Sequence, residues 1–247
     1  MTLRFCLFVL GLTLAQPVLA APGLGGEIYP ATVEAHELEI EARYGALNGG
    51  PAAGEDNSRV EISYGISEHL QLGVVTEFEK DPGGTRHATH LGFEAIAPLG
   101  RIGGIDIAAY GEYEIGLNGK ADSVETKLLV QHRAGLWDLR FNLVGEKPLQ
   151  AGAPVALSYA ASVDRGVTRN VRLGVAAFGD LGTVSHFVPY AEHYLGPVAK
   201  FRIPLGDRDG DGDGDQGVWL EAGYLFPLAA ARAETKGQFR FNLEFEL

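Results

Sequence analysis

The last ten residues alternate without a fault: Phe239, Phe241, Leu243, Phe245 and Leu247 are interleaved with Gln238, Arg240, Asn242, Glu244 and Glu246. A period of two puts the apolar side chains on one face of a β-strand and the charged or amide side chains on the other, whereas a helix would smear both sets around its circumference. The pattern recurs in Leu38, Ile40, Ala42 and Tyr44 against Glu37, Glu39, Glu41 and Arg43. It returns in Val60, Ile62 and Tyr64 against Arg59, Glu61 and Ser63, and in Trp137, Leu139, Phe141 and Leu143 against Asp138, Arg140 and Asn142. No stretch after residue 20 shows apolar spacing of three and four, so the chain is expected to be all-β.

Cutting at turn signals predicts about twelve strands, on the rule that a membrane strand is a segment of about ten alternating residues. Their cores are 35–45, 58–67, 69–79, 88–98, 104–116, 122–133, 136–146, 154–164, 169–180, 187–203, 217–227 and 236–247. An even count suits a closed antiparallel up-and-down transmembrane β-barrel with both chain ends on one side. Tight turns are expected at 66–69 and 132–135, longer loops at 45–58 and 146–153, with the acidic stretch 206–217 on the tight-turn side.

Ahead of the strands, Arg4 precedes an apolar run over residues 5–15, and Pro17-Val18-Leu19-Ala20 leads into Ala21. This is the layout of a signal peptide, with cleavage expected after Ala20. The run is too short for a membrane-spanning helix. The chain's one cysteine, Cys6, lies in this leader, so no disulfide framework, thiolate metal site or cysteine nucleophile is expected in the mature protein. The division is then residues 1–20 as signal peptide, 21–34 as a periplasmic lead-in, and 35–247 as the barrel. No loop is long enough for a folded plug.

Alternation alone also fits a soluble β-sandwich. The export signal, the lack of disulfides and the closing requirement that lipid places on a sheet favour the membrane form, because every backbone donor and acceptor must be paired within the protein. Tyr44, Tyr64, Tyr113, Trp137 and Tyr224 fall on the apolar face as candidates for interfacial girdles. The final strand resembles the terminal signal that barrel-assembly machinery reads, with Leu247 in place of the usual Phe. Outer-membrane lipids and that machinery are the expected partners of a Gram-negative outer-membrane protein. The formal net charge of −12 argues against nucleic acid.

If the charged face encloses a lumen, its lining includes Glu39, Glu41, Arg43, Arg59, Glu61, Glu77, Glu112, Glu114, Lys127, Arg140, Glu221, Arg240 and Glu244. Carboxylates outnumber bases there, which favours cations in a pore. Opposed Arg and Glu side chains could equally fill a narrow barrel and hold it shut. Asp207, Asp209, Asp211, Asp213 and Asp215 alternate mainly with glycines in the manner of a calcium loop, and calcium is the one candidate cofactor. The register fails an EF-hand, since Val218 or Leu220 stands where a bidentate Glu is required. No catalytic residues emerge: Ser185 and His186 are neighbours whose side chains point to opposite faces of a strand, and no other His carries a motif. An outer-membrane lipid hydrolase is the alternative that a hydrolysis screen would test.

The segment Tyr64-Gly65-Ile66-Ser67-Glu68-His69-Leu70-Gln71-Leu72-Gly73 resembles the strand-turn-strand signature of outer-membrane barrels in the MetA-pathway of phenol degradation family. Leu195-Gly196-Pro197-Val198-Ala199-Lys200-Phe201 and the final strand are similar in character. The resemblance implies a porin-like barrel linked to uptake of small, aromatic molecules, and supplies no catalytic residues. The function expected is a passive channel or transporter for small solutes with an acidic lumen. The alternative is a non-conducting structural or binding barrel, calcium-tuned at the Asp207 to Asp215 stretch.

Overall fold

A computed structural model of the chain describes residues 21–188, 191–206 and 216–247. The expected leader, residues 1–20, and the five aspartates of the expected calcium loop lie outside the described residues. The strands are β1 (Leu38–Asn48), β2 (Asp56–Ser67), β3 (Leu70–Lys80), β4 (His87–Ile102), β5 (Ile105–Gly116), β6 (Ser123–Ala134), β7 (Trp137–Pro148), β8 (Ala156–Thr168), β9 (Val171–Thr183), β10 (His186–Phe187), β11 (Glu192–Gly206), β12 (Gln216–Ala229) and β13 (Gly237–Glu246). A short helix, α1 (Ala231–Glu234), joins β12 to β13.

Every strand pairs antiparallel with its neighbour along the chain, except that β9 passes over the two-residue β10 to pair with β11. β13 pairs with β1, with Phe241 opposite Tyr44, and the ring is closed. Twelve strands therefore form the barrel, as the alternation predicts. β10 is a hook folded back on β9, His186 opposite Thr183, so the barrel strand expected from residue 187 begins instead at Glu192. The first strand, expected from 35, begins at Leu38 because His36 takes a positive φ of 67° where the chain swings into the wall.

Two-residue connections link Ser67 to Leu70, Ile102 to Ile105, Ala134 to Trp137 and Thr168 to Val171 at one end, here called the turn end. Apart from the connection between Gly206 and Gln216, the longer connections lie at the other, the loop end.

The two faces have opposite chemistry. Ile62, Val74, Phe93 and Phe141 point outward and are 42–53% exposed, while Glu61, Glu94, Glu112 and Asn142 point inward and are at most 4% exposed. A water-soluble barrel would reverse this arrangement. An apolar exterior on a closed ring of strands is what lipid surroundings require. Tyr44, Tyr64, Tyr113 and Trp137 are exposed on that exterior, and Tyr224 packs edge-on against Phe226 and Phe239.

The structure corrects one expectation about domain layout. Residues 21–34 are not a periplasmic lead-in; they run through the barrel interior. Near the loop end, Gly25 lies against Gly45 of β1, and a Cβ on Gly45 would stand 2.6 Å from the Gly25 nitrogen. Near the turn end, a Cβ on Gly65 of β2 would collide with the Glu34 carbonyl oxygen. The two strand glycines make room for the segment where it passes closest to the wall. It then leaves through His36, whose N–H donates to the Gly65 carbonyl at 2.7 Å. Among the described residues the plug is supplied by the N-terminal segment rather than by a loop.

Candidate functional site

The interior has three parts: the threaded segment, the wall that grips it, and a vestibule beside it. The grip is part apolar. Toward the loop end Leu24 and Ile28 pack with Leu47, Phe178, Tyr194, Val198 and Leu225. Toward the turn end Tyr29, Ala31 and Val33 pack with Ile96, Ala108, Tyr110 and Leu129. These inward apolar residues break the rule that the lumen face is charged. Their signal in the sequence is a local loss of alternation, such as Leu128-Leu129-Val130 and Ala176-Ala177-Phe178, where both faces are apolar.

The polar part of the grip replaces strand pairing. The Tyr29 N–H donates to Asn142 Oδ1 at 2.7 Å, and Asn142 Nδ2 donates to the Tyr29 carbonyl at 3.1 Å. The Ala31 N–H donates to Gln131 Oε1 at 3.1 Å, and Arg140 Nη1 donates to the Ile28 carbonyl at 3.2 Å. Buried backbone groups of a strap with no strand neighbour are satisfied by wall side chains.

Tyr29 is the hub of the middle layer. Its ring lies 4.9 Å from that of Tyr110, and Lys127 Nζ sits 4.1 Å and 3.9 Å from the two ring centres. The Arg43 guanidinium donates to Glu27 Oε2 at 2.5 Å, to Glu61 Oε2 at 2.7 Å and to the Tyr29 hydroxyl at 3.2 Å. Glu41 completes the cluster, 3.4 Å from Arg43 Nε. Glu27, Glu41 and Glu61 are spaced as a metal trio could be, but Arg43 stands among them as their cation. Nearer the loop end, Glu77, His90 and Glu114 form a similar trio. There Arg59 lies 3.1 Å from Glu77 and 3.9 Å from Glu114, and His90 Nδ1 lies 3.0 Å from Glu77. Both groupings are organised around a guanidinium of the protein.

The vestibule is a cavity of about 490 Å³ between residues 27–34 and the wall, toward the turn end. Of the residues predicted from sequence to line the lumen, Glu39, Glu41, Glu61, Arg140, Glu221, Arg240 and Glu244 border this cavity. Arg43, Arg59, Glu77, Glu112, Glu114 and Lys127 also point inward but are taken up in the layers around the strap. Trp219, which the sequence reading leaves aside, turns inward and borders the vestibule, with the Arg202 guanidinium 5.8 Å from its ring. Ser185 lies in the exposed turn between β9 and β10 and His186 opens β10, where Thr183 Oγ1 accepts the His186 backbone N–H.

No protein family and no curated protein matches the sequence. Solved structures do resemble the fold. The KdgM porin aligns with a TM-score of 0.54 at 10% identity, over 85% of this chain and 99% of that one. The NanC porin aligns at 0.54 and 7% identity, over 84% and 100%. The COG4313 outer membrane channel from Pseudomonas putida F1 aligns at 0.54 and 11% identity, over 87% and 96%. What these structures share with the chain is the fold.

Proposed function

We propose that the chain is an outer-membrane barrel that passes small solutes passively, with residues 21–34 as the element that sets how open the path is. The observation that carries this reading is the interior itself. A barrel needed only as a scaffold could be filled by its own wall residues. Here a cavity of about 490 Å³ remains, bordered by ten carboxylates and seven bases. The strap is held by side-chain hydrogen bonds and packing rather than by strand pairing, so the sheet is complete without it.

A KdgM porin is described in complex with disordered oligogalacturonate, a polyanion. The carboxylate excess around this vestibule disfavours such a solute and favours neutral or cationic ones. The segment from Tyr64 to Gly73 supports placing the chain beside the MetA-pathway of phenol degradation barrels, with small molecules as cargo. With short turns facing the periplasm, the strap begins at the outer mouth and the vestibule faces inward.

Occlusion by the strap also favours the second reading, a barrel that binds without conducting. Reversal potentials in planar bilayers under a salt gradient, together with liposome swelling in small neutral sugars, separate the two. Cation-selective conductance and swelling support the channel; sealed membranes across repeated reconstitutions support the binding barrel.

A further inference from the structure

The vestibule carries its charges in two ridges that meet at one ion pair, Arg202 Nη2 to Glu246 Oε2 at 3.9 Å. On β1 and β13, Glu39 stands directly opposite Glu246, and Glu41 directly opposite Glu244. Like charges in direct cross-strand register repel, and two such pairs lie side by side. The groups that meet Glu39 are neutral donors, the Ser63 hydroxyl at 3.0 Å and the Gln71 amide at 2.8 Å. Two bases reach this ridge: Arg43, 3.4 Å from Glu41 and shared with Glu27 and Glu61, and Arg202 at its turn-end tip beside Glu246.

Three strands round the ring, on β9 and β11, Arg172 stands directly opposite Lys200. Here bases outnumber acids. Asp164 pairs with both Arg172, at 2.5 Å, and Lys200, at 3.2 Å, while Glu221 pairs with Lys200 and Arg240. Arg202, beside Trp219, closes the ridge toward the turn end, and Arg140 on β7, two strands beyond β9, also borders the cavity.

An acidic ridge and a basic ridge on one cavity, with low-dielectric walls and an indole between them, create a field across the cavity rather than a single sign of potential. We propose that the vestibule is a two-point subsite for a small zwitterion, its ammonium group set against Glu39, Glu41 and Glu244 and its carboxylate against Arg172 and Lys200. A cavity of this volume suits a solute of amino-acid to short-peptide size. The acidic ridge gains a counter-charge for its facing carboxylates, and the basic ridge gains one for its surplus cation. A solute with one charge would satisfy one ridge only. The inference rests on the reading of the vestibule as part of a solute path, but the binding it describes does not require conduction.

The chain has two tryptophans, and Trp137 is on the outer face, 47% exposed. Trp137→Phe therefore leaves Trp219 as a fluorescence reporter inside the vestibule of the detergent-solubilised full-length protein. The probes are 4-aminobutyrate, butylamine and butyrate, which share a chain length and differ in charge. Saturable change in Trp219 emission is expected for 4-aminobutyrate at concentrations on the order of tenfold lower than for either single-charge probe, a ratio corresponding to about 1.4 kcal/mol. Glu39→Gln with Glu244→Gln should abolish the advantage over butyrate. Equal response to butylamine would replace the zwitterion site with a plain cation site, equal response to butyrate with an anion site, and no response to any probe would end the proposal. The wild-type ranking alone decides the matter if the double variant does not assemble. Binding without conductance would sink the channel reading and leave the subsite standing.

Discussion

Asn142 and Tyr29 are joined twice: the asparagine amide accepts the Tyr29 backbone N–H and donates to the Tyr29 carbonyl, at 2.7 and 3.1 Å, with Asn142 fully buried. One wall side chain thus does for the strap what a neighbouring strand would do. Asn142→Leu keeps the volume and leaves both backbone groups unpaired. At about 1–3 kcal/mol for each unsatisfied buried group, a loss of about 2 kcal/mol would weaken the seated state about 30-fold. Open-channel events should become more frequent in single-channel recordings while heat-modifiable gel mobility, the mark of an intact barrel, is kept.

Arg43 is the cation for Glu27 on the strap and for Glu41 and Glu61 on the wall. Removing one partner of a buried ion cluster costs about 3–5 kcal/mol because the others are left uncompensated. Arg43→Met should lower the thermal unfolding midpoint markedly. Pairing it with Glu61→Gln and Glu27→Gln should recover part of the loss, and no recovery would show that the cluster is not held by charge.

Gly65 gives the strap its passage at the turn end, where any Cβ would meet the Glu34 carbonyl. Gly111, on the outer face of β5, has open space where its Cβ would be. Gly65→Val should displace residues 31–36 and make them accessible to added protease, and Gly111→Ala should leave digestion unchanged.

Ile62 points into lipid near the middle of β2. An arginine at the midplane of a barrel's lipid face costs about 2–4 kcal/mol. Ile62→Arg should reduce the folded fraction recovered in lipid vesicles, whereas Ile62→Leu should not.

The wall was legible in the sequence because period-two alternation has one geometric meaning once a sheet must close. Glu41, Glu61, Glu112 and Arg240 turn inward for the same reason that Ala42, Ile62, Tyr113 and Phe241 turn outward. Strand ends were less legible, since His36 and His186 depart from the extended run through turn geometry that apolar spacing does not encode. The strap was not legible as a strap. Residues 21–34 have no alternation, and their partners Asn142, Gln131 and Leu129 lie about a hundred residues away in sequence. The surviving clue was on the wall, where Leu129 and Phe178 place apolar groups on a face that is otherwise charged. The split of the vestibule into two ridges depended on register, which puts Glu39 opposite Glu246 and Arg172 opposite Lys200.

Single-channel conductance of the wild-type protein against a deletion of residues 21–34, recorded at the same salt and voltage, tests most directly whether the strap governs the path. Removing it leaves every strand in place, so the account predicts a folded barrel with several-fold higher conductance and fewer closures. A deletion variant that folds, as judged by heat-modifiable mobility, and conducts no more than the wild type would contradict it.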